Sequence, residues 1–291
     1  MALKQFLLLL FISAIWGASF IFMKVLSPVF GPVLSASLRM LVAALALFIL
    51  FKIQNYKVHW KRDYKLFFII GLGNAAVPFI LYSYAALYIP ASLSVILNST
   101  SPMFGAIFGF LLIGDKLNPS KIVGLIVGTL GVIIVSSFSF SNSSFEVYIS
   151  IIACVLAATM YGVTGAIVKK YAQHIEPKAL TLGGMLISGL AILPFAVISP
   201  VTGVITLNVL LLLIAFGVFS TAIPYVIYFK VLKEIGPVKA LTTTYLMPVF
   251  GIIWAILILN EKLELNSVLG LIVILIGIYL ISKKKKMRIS I

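Results

Sequence analysis

Four prolines each follow a polar residue by four positions: Asn74 and Pro78, Asn98 and Pro102, Ser220 and Pro224, Thr244 and Pro248. In a helix, proline has no N–H to give to the carbonyl four residues earlier. Each pair therefore sets a polar side chain and an unclaimed carbonyl at one point of the backbone. Such groups are costly against hydrocarbon and belong against protein or a water-filled cavity, where they can hydrogen-bond a solute. The plainer reading is that each proline kinks its helix and each polar group bridges to a neighbour. Tyr82 and Tyr228 come four residues after Pro78 and Pro224, on the same helix face. Arg39, in "SASLRMLVAAL", is a charged residue well inside an apolar run. Its planar fork of donors suits a carboxylate or phosphate. Alternatively, it pairs with carbonyls or a neighbouring polar group and fixes its own helix.

The elements that hold these residues follow from composition. Of 291 residues, 62% are hydrophobic and 10% charged, with mean hydropathy +1.21. A soluble domain carries roughly a quarter charged residues. Apolar runs of about 20 residues cross a bilayer as helices. Ten such runs are predicted, at 6–24, 33–51, 66–87, 92–113, 119–138, 147–168, 178–199, 206–230, 239–259 and 265–282. The fold class is thus an all-α integral membrane protein with ten transmembrane helices and the lipid bilayer as its partner. The first run has the character of an uncleaved helix rather than a signal peptide, since it is long and more spans follow.

Net charge of +15 would suggest nucleic acid in a soluble protein. Here the basic residues cluster between apolar runs, so they set orientation, and no nucleic-acid partner is expected. With both termini cytoplasmic, 19 of the 22 Lys and Arg fall in inner segments, leaving Lys24 and Lys262 outside and Arg39 within a helix. Reversal would invert that ratio. Residues 283–291, with Lys283–Lys286 and Arg288, form a basic cytoplasmic tail that anchors the topology.

The chain also repeats itself. "PMFGAIFGFLLIGDKL" (102–117) and "PVFGIIWAILILNEKL" (248–263) share one pattern at a shift of 146 residues. At the same shift, "GLGNAAVPFILY" (71–82) lies on "GVFSTAIPYVIY" (217–228), and "GLIVGTLG" (124–131) on "GLIVILIG" (270–277). At a shift of 145, "WGASFIFMK" (16–24) lies on "YGVTGAIVK" (161–169), which pairs Trp16 with Tyr161 and Ser19 with Thr164. The expected organisation is a five-helix repeat over 1–138 and a second over 147–282. Because five is odd, the second repeat enters the membrane in the opposite orientation, giving a 5+5 inverted repeat whose halves can rock about a central site.

The "WG" of the first helix, Arg39, and the doubled "P-x-F-G" followed by "DKL" or "EKL" resemble the EamA-like branch of the drug/metabolite transporter superfamily. The resemblance covers the whole chain. It implies an inner-membrane protein of bacterial or archaeal type that carries amino acids or related organic solutes, more often as an exporter. It also implies a central cavity lined by helices 1, 3, 4, 6, 8 and 9.

Other functions find little support. An intramembrane enzyme needs a nucleophile with a base, or a metal cluster, but the predicted spans hold no histidine and one cysteine, Cys154. No cofactor and no metal is expected. No Asp or Glu lies well inside a span, so an intramembrane carboxylate relay is not visible; Glu146 and Glu261 lie near outer helix ends. Stripes of small residues, Ser101–Gly105–Gly109 and Gly124–Gly128, permit close helix packing within the monomer or in a homodimer. His59 and His174 fall in loops, where solvated side chains are expected. The leading expectation is a secondary transporter of a small metabolite working by alternating access. A noncatalytic membrane subunit or scaffold is the alternative.

Overall fold

The computed structural model describes residues 3–137, 144–198, 201–235 and 242–282; side chains at 137, 198, 229, 232, 233, 235, 242 and 244 are not described. The expected outer loop around Asn142 and the basic tail at 283–291 lie outside the described residues. The described chain folds as α1 (Leu3–Ile53), α2 (Trp60–Gly71), α3 (Val77–Tyr88), α4 (Ala91–Asn98), α5 (Ser101–Ile113), α6 (Pro119–Ser137), α7 (Phe145–Tyr171), α8 (Pro177–Ile192), α9 (Leu207–Gly217), α10 (Ile223–Ile235), α11 (Thr242–Leu259) and α12 (Leu265–Ser282). Eight continuous helical stretches are long and apolar enough to cross a membrane, and Tyr245–Leu259 is a shorter apolar helix. The protein is an all-α, multi-pass membrane protein.

Two features depart from the sequence expectation in form. The first two predicted spans are one 51-residue helical run, interrupted only at Gly31 (φ 71, ψ 164). Pro28 and Pro32 flank that residue, and its positive φ is open to glycine at little steric cost. The chain therefore reverses without a loop. The predicted third and eighth spans each contain one turn of π-helix, at Leu72–Ala76 and Val218–Ala222. These turns end just before Pro78 and Pro224 and are separated by the same 146 residues as the sequence repeat. The wider i→i+5 turn is how the helix accommodates a missing donor without breaking.

Glycines set the closest helix approaches, and these too come in repeat-related pairs. A Cβ on Gly124 would lie 2.6 Å from the Gly277 carbonyl oxygen, and one on Gly131 would lie 2.9 Å from that of Gly270. Shifting the first contact by 146 residues gives the second, so α6 and α12 pack on each other as images. Likewise, Gly17 of α1 would meet the backbone nitrogen of Gly251 in α11 at 2.6 Å, and Gly162 of α7 would meet that of Gly105 in α5 at 2.7 Å. The Gly124–Gly128 stripe is thus used within the monomer. Gly105 itself faces open space on its Cβ side, so the Ser101–Gly105–Gly109 stripe is only partly a packing surface.

Candidate functional site

A cavity of about 570 Å³ lies among these helices. It extends from Trp16, Ser19, Phe20 and Met23 on α1 to Ile175 and Pro177 at the α7–α8 link. One end of the bundle is therefore reached by the cavity lining. At the opposite end stand the α3–α4 link and the loop between α11 and α12.

Arg39 lines this cavity although only 4% of its surface is exposed. Nε donates to Thr221 Oγ1 at 2.9 Å and Nη2 to Ser19 Oγ at 3.4 Å. The guanidinium carbon lies 3.9 Å from the centre of the Phe79 ring and 4.1 Å from that of Phe216. Desolvated cation–π contacts contribute about 2 kcal/mol each. Two of them offset the roughly 2.5–3.5 kcal/mol that a central arginine costs on insertion. The rings stabilise the charge without neutralising it. Nη1 is buried and donates to no described group.

Ser19 ties this arginine to the second half. Its hydroxyl lies 2.6 Å from Ser220 Oγ, and Ser220 donates to the Ile15 carbonyl at 3.3 Å. With the Ser220 proton on Ile15, the Ser19 proton falls on Ser220, which leaves Ser19 free to accept from Arg39. Thr221, also in the π turn, donates to the Phe216 carbonyl at 3.2 Å. The wide turn thus presents two hydroxyls to α1, which explains why polar residues occupy it.

Aromatic side chains form much of the remaining wall. Trp16 packs on Tyr225 and Tyr228, with ring centroids 5.5 and 5.3 Å away. Phe20 meets Tyr82 edge-on at 5.3 Å, and Tyr82 faces Tyr161 at 6.4 Å with 24° between the planes. The Tyr82 hydroxyl donates to Asn98 Oδ1 at 2.8 Å, and Tyr225 and Asn74 both line the cavity.

Of the residues singled out from sequence, Trp16, Ser19, Arg39, Asn74, Tyr82, Asn98, Tyr161 and Tyr228 line the cavity. Pro102 instead lines an adjoining cavity of about 280 Å³, which shares Ser101, Tyr161 and Gly165 with the first. Pro78, Pro224 and Pro248 are buried in packing, as are Ser220 in its hydroxyl chain and Thr164 against Gly73. The Thr244 side chain lies outside the described residues. The Asn98 carbonyl is not left for a solute: Ser101 Oγ donates to it at 2.6 Å. Ser99 and Thr100 cover the Ile96 and Leu97 carbonyls in the same way. The "NSTS" run carries the hydroxyls that close its own helix break. Phe79, Phe216, Tyr225 and Met247 were not singled out from sequence. Phe79 and Tyr225 share one signal, since each directly follows a repeat-related proline.

The two ends of the bundle carry repeat-related acids in different states. Glu261 accepts from Ala91 N at 2.7 Å, Ser92 N at 3.0 Å and Ser92 Oγ at 2.6 Å. Nearby, Lys24 Nζ donates to the Ile89 carbonyl at 3.0 Å, within the field of Glu261. A carboxylate on the first turn of α4 also meets the positive end of that helix. These contacts pin α1, the α3–α4 link and the α11–α12 loop together. Asp115, the counterpart of Glu261, pairs with Lys169, the counterpart of Lys24, at 2.9 Å, with side chains 41% and 53% exposed. That pair borders the adjoining cavity. At the same end, Asp63 binds Arg62 at 2.8 Å and meets His174 at 3.3 Å; His174 is an exposed loop side chain, as expected, that also touches this buried carboxylate.

The sequence pattern of the EamA-like transporter family matches this chain twice, over residues 3–137 and 148–283. A protein named "uncharacterized transporter" from Archaeoglobus fulgidus is 25% identical over 283 residues, covering 97% of this chain and 100% of its own length. The "uncharacterized transporter YoaV" of Bacillus subtilis is 24% identical, covering 95% and 96%. "Protein PecM" of Dickeya dadantii is 23% identical, covering 99% and 97%. A solved crystal structure superposes with a TM-score of 0.67 over 96% of both chains at 14% identity, which shows the fold. Matched in each half and over nearly its whole length, this chain belongs to the EamA-like transporter family.

Proposed function

We propose that the protein is a secondary transporter that moves a small organic solute across a cell membrane by alternating access to the central cavity. The observation that carries this reading is the asymmetry of the two ends. The cavity lining reaches the α7–α8 link, while Glu261 and Lys24 pin the other end shut. Ten crossings, with the two repeats inserted in opposite orientations, let the repeat-related contacts exchange as one end opens and the other closes. The positive-inside balance puts both termini in the cytoplasm, so the cavity faces the cytoplasm in this state. Residence in the inner membrane and export of amino acids or related solutes follow from the family resemblance.

Uptake into inside-out and right-side-out vesicles, with and without a pH gradient, tests the function. Accelerated exchange of any solute class relative to protein-free vesicles supports it. A noncatalytic subunit or scaffold would accelerate none. Orientation has its own test. Val204, 80% exposed in the segment before α9, faces outside in this arrangement. Val204→Cys, in a Cys154→Ala background, is expected to react with a membrane-impermeant thiol reagent in intact cells. Labelling only after permeabilisation would reverse the topology.

A further inference from the structure

We infer that the solute is an organic anion with a flat apolar body, held as an ion pair by the unshared edge of Arg39; the inference rests on the transport reading above. Arg39 is the one charged side chain among the described residues lining the main cavity. The chain has seven acids: Asp63, Asp115, Glu146, Glu176, Glu234, Glu261 and Glu264. None of them lines that cavity, and those described sit in first turns, links or helix ends. The partners of Arg39 are two hydroxyls and two ring faces, all neutral, so its full positive charge remains uncompensated in a low-dielectric space.

A second, independent observation is the geometry of the fork. Nε and Nη2 are directed to Thr221 and Ser19, which fixes the guanidinium plane. Nη1 is buried and has no acceptor among the described residues, on a residue that lines the cavity. A buried donor on a cation is costly when unpaired, and a carboxylate supplies both the acceptor and the opposite charge. A cationic solute would meet repulsion at this point. A zwitterion such as an amino acid, one of the solutes the family resemblance implies, would leave its ammonium without a carboxylate partner in the cavity, which narrows that class to related organic acids without an ammonium. The rest of the wall, with Trp16, Phe20, Tyr82, Tyr161 and Tyr225, suits a planar apolar body. No carboxylate lines the cavity among the described residues to carry a proton beside the anion, so the anion is expected to cross with its charge.

Benzoate, benzamide and benzamidine have nearly one shape and carry negative, neutral and positive charge, so they separate charge from fit. Titration calorimetry on the purified full-length protein is expected to show saturable benzoate binding, with benzamide at least roughly tenfold weaker and benzamidine absent. Arg39→Gln is expected to weaken benzoate by roughly 10- to 100-fold, the loss of a charge-assisted pair. Arg39→Lys keeps the charge without the fork and is expected to retain part of the binding, which covers the case in which the Gln variant does not fold. In proteoliposomes, an imposed potential, positive on the trans side, should drive benzoate in. Benzamidine binding as tightly as benzoate, or no saturable binding of benzoate or phenyl phosphate, would overturn the inference. Movement of a cation or neutral solute by a fully active Arg39→Gln protein would overturn it while leaving the transport reading intact; no solute movement at all would instead remove the transport reading.

Discussion

Gly17→Leu will separate α1 from α11 and remove transport together with much of the folded population. A Cβ at Gly17 would lie 2.6 Å from the Gly251 backbone nitrogen and 2.9 Å from the Met247 carbonyl oxygen. Neither atom can rotate away, so the helices themselves must part. Overpacking costs about 1–3 kcal/mol even where side chains can adjust. Here the displacement also moves Trp16 and Ser19, which stand on either side of Gly17 and line the cavity. The expected result is a melting temperature lower by several degrees in detergent and little monodisperse protein. Gly165→Ala, whose new Cβ would meet nothing within 4 Å, is the control and should melt like the parent. Equal melting and equal transport for Gly17→Leu and parent would show that the α1–α11 contact is not as tight as described.

Glu261→Ala will release the closed end of the bundle. Its carboxylate accepts three hydrogen bonds from the start of α4, and hydrogen bonds to a charged group contribute about 1.5–3 kcal/mol each. Glu261 is half-buried, and water replaces part of what is lost. A net shift of about 2–4 kcal/mol is expected, or roughly 30- to 1000-fold in the balance between closed and open. The reporter is a cysteine at Met23, a cavity residue near that end of α1. Its labelling from outside by an impermeant reagent should rise steeply in the Glu261→Ala background and less in Glu261→Gln, which keeps the shape and some acceptor capacity. Asp115→Asn should do little, because its pair with Lys169 is exposed and such pairs contribute about 0–1 kcal/mol. Equal effects at the two acids would contradict the asymmetry between the ends.

Much of the site was legible because the bilayer makes polar residues conspicuous. Arg39, Asn74, Asn98 and Ser19 stand out in apolar runs, and all four line the cavity. The repeat then linked Trp16 with Tyr161 and Tyr82 with Tyr228, and these also face it. Prolines were a less direct guide. They mark where the backbone changes, but the change is absorbed by π turns at Leu72–Ala76 and Val218–Ala222, and by the hydroxyls of Ser99, Thr100 and Ser101. Pro78, Pro224 and Pro248 themselves are packed away. Phe79 and Phe216 could not be singled out, since an aromatic ring in an apolar span looks the same whether it faces lipid, core or a cation. Only the rotation of each helix decides that. The continuity of α1 through Pro28 and Pro32 was equally hidden, because proline punctuates most sequences and here one glycine takes the turn.

Gly165 offers the most direct test of the cavity as the transport path. It lies on α7, borders both cavities, and has open space where a side chain would begin. Gly165→Cys in a Cys154→Ala background should fold and transport normally, because the added thiol displaces nothing. A bulky impermeant maleimide applied from the cytoplasmic face should then react rapidly and stop transport of any solute found in the vesicle screen, and that solute should slow the reaction. Stoichiometric modification that leaves the transport rate unchanged would contradict the account at its centre.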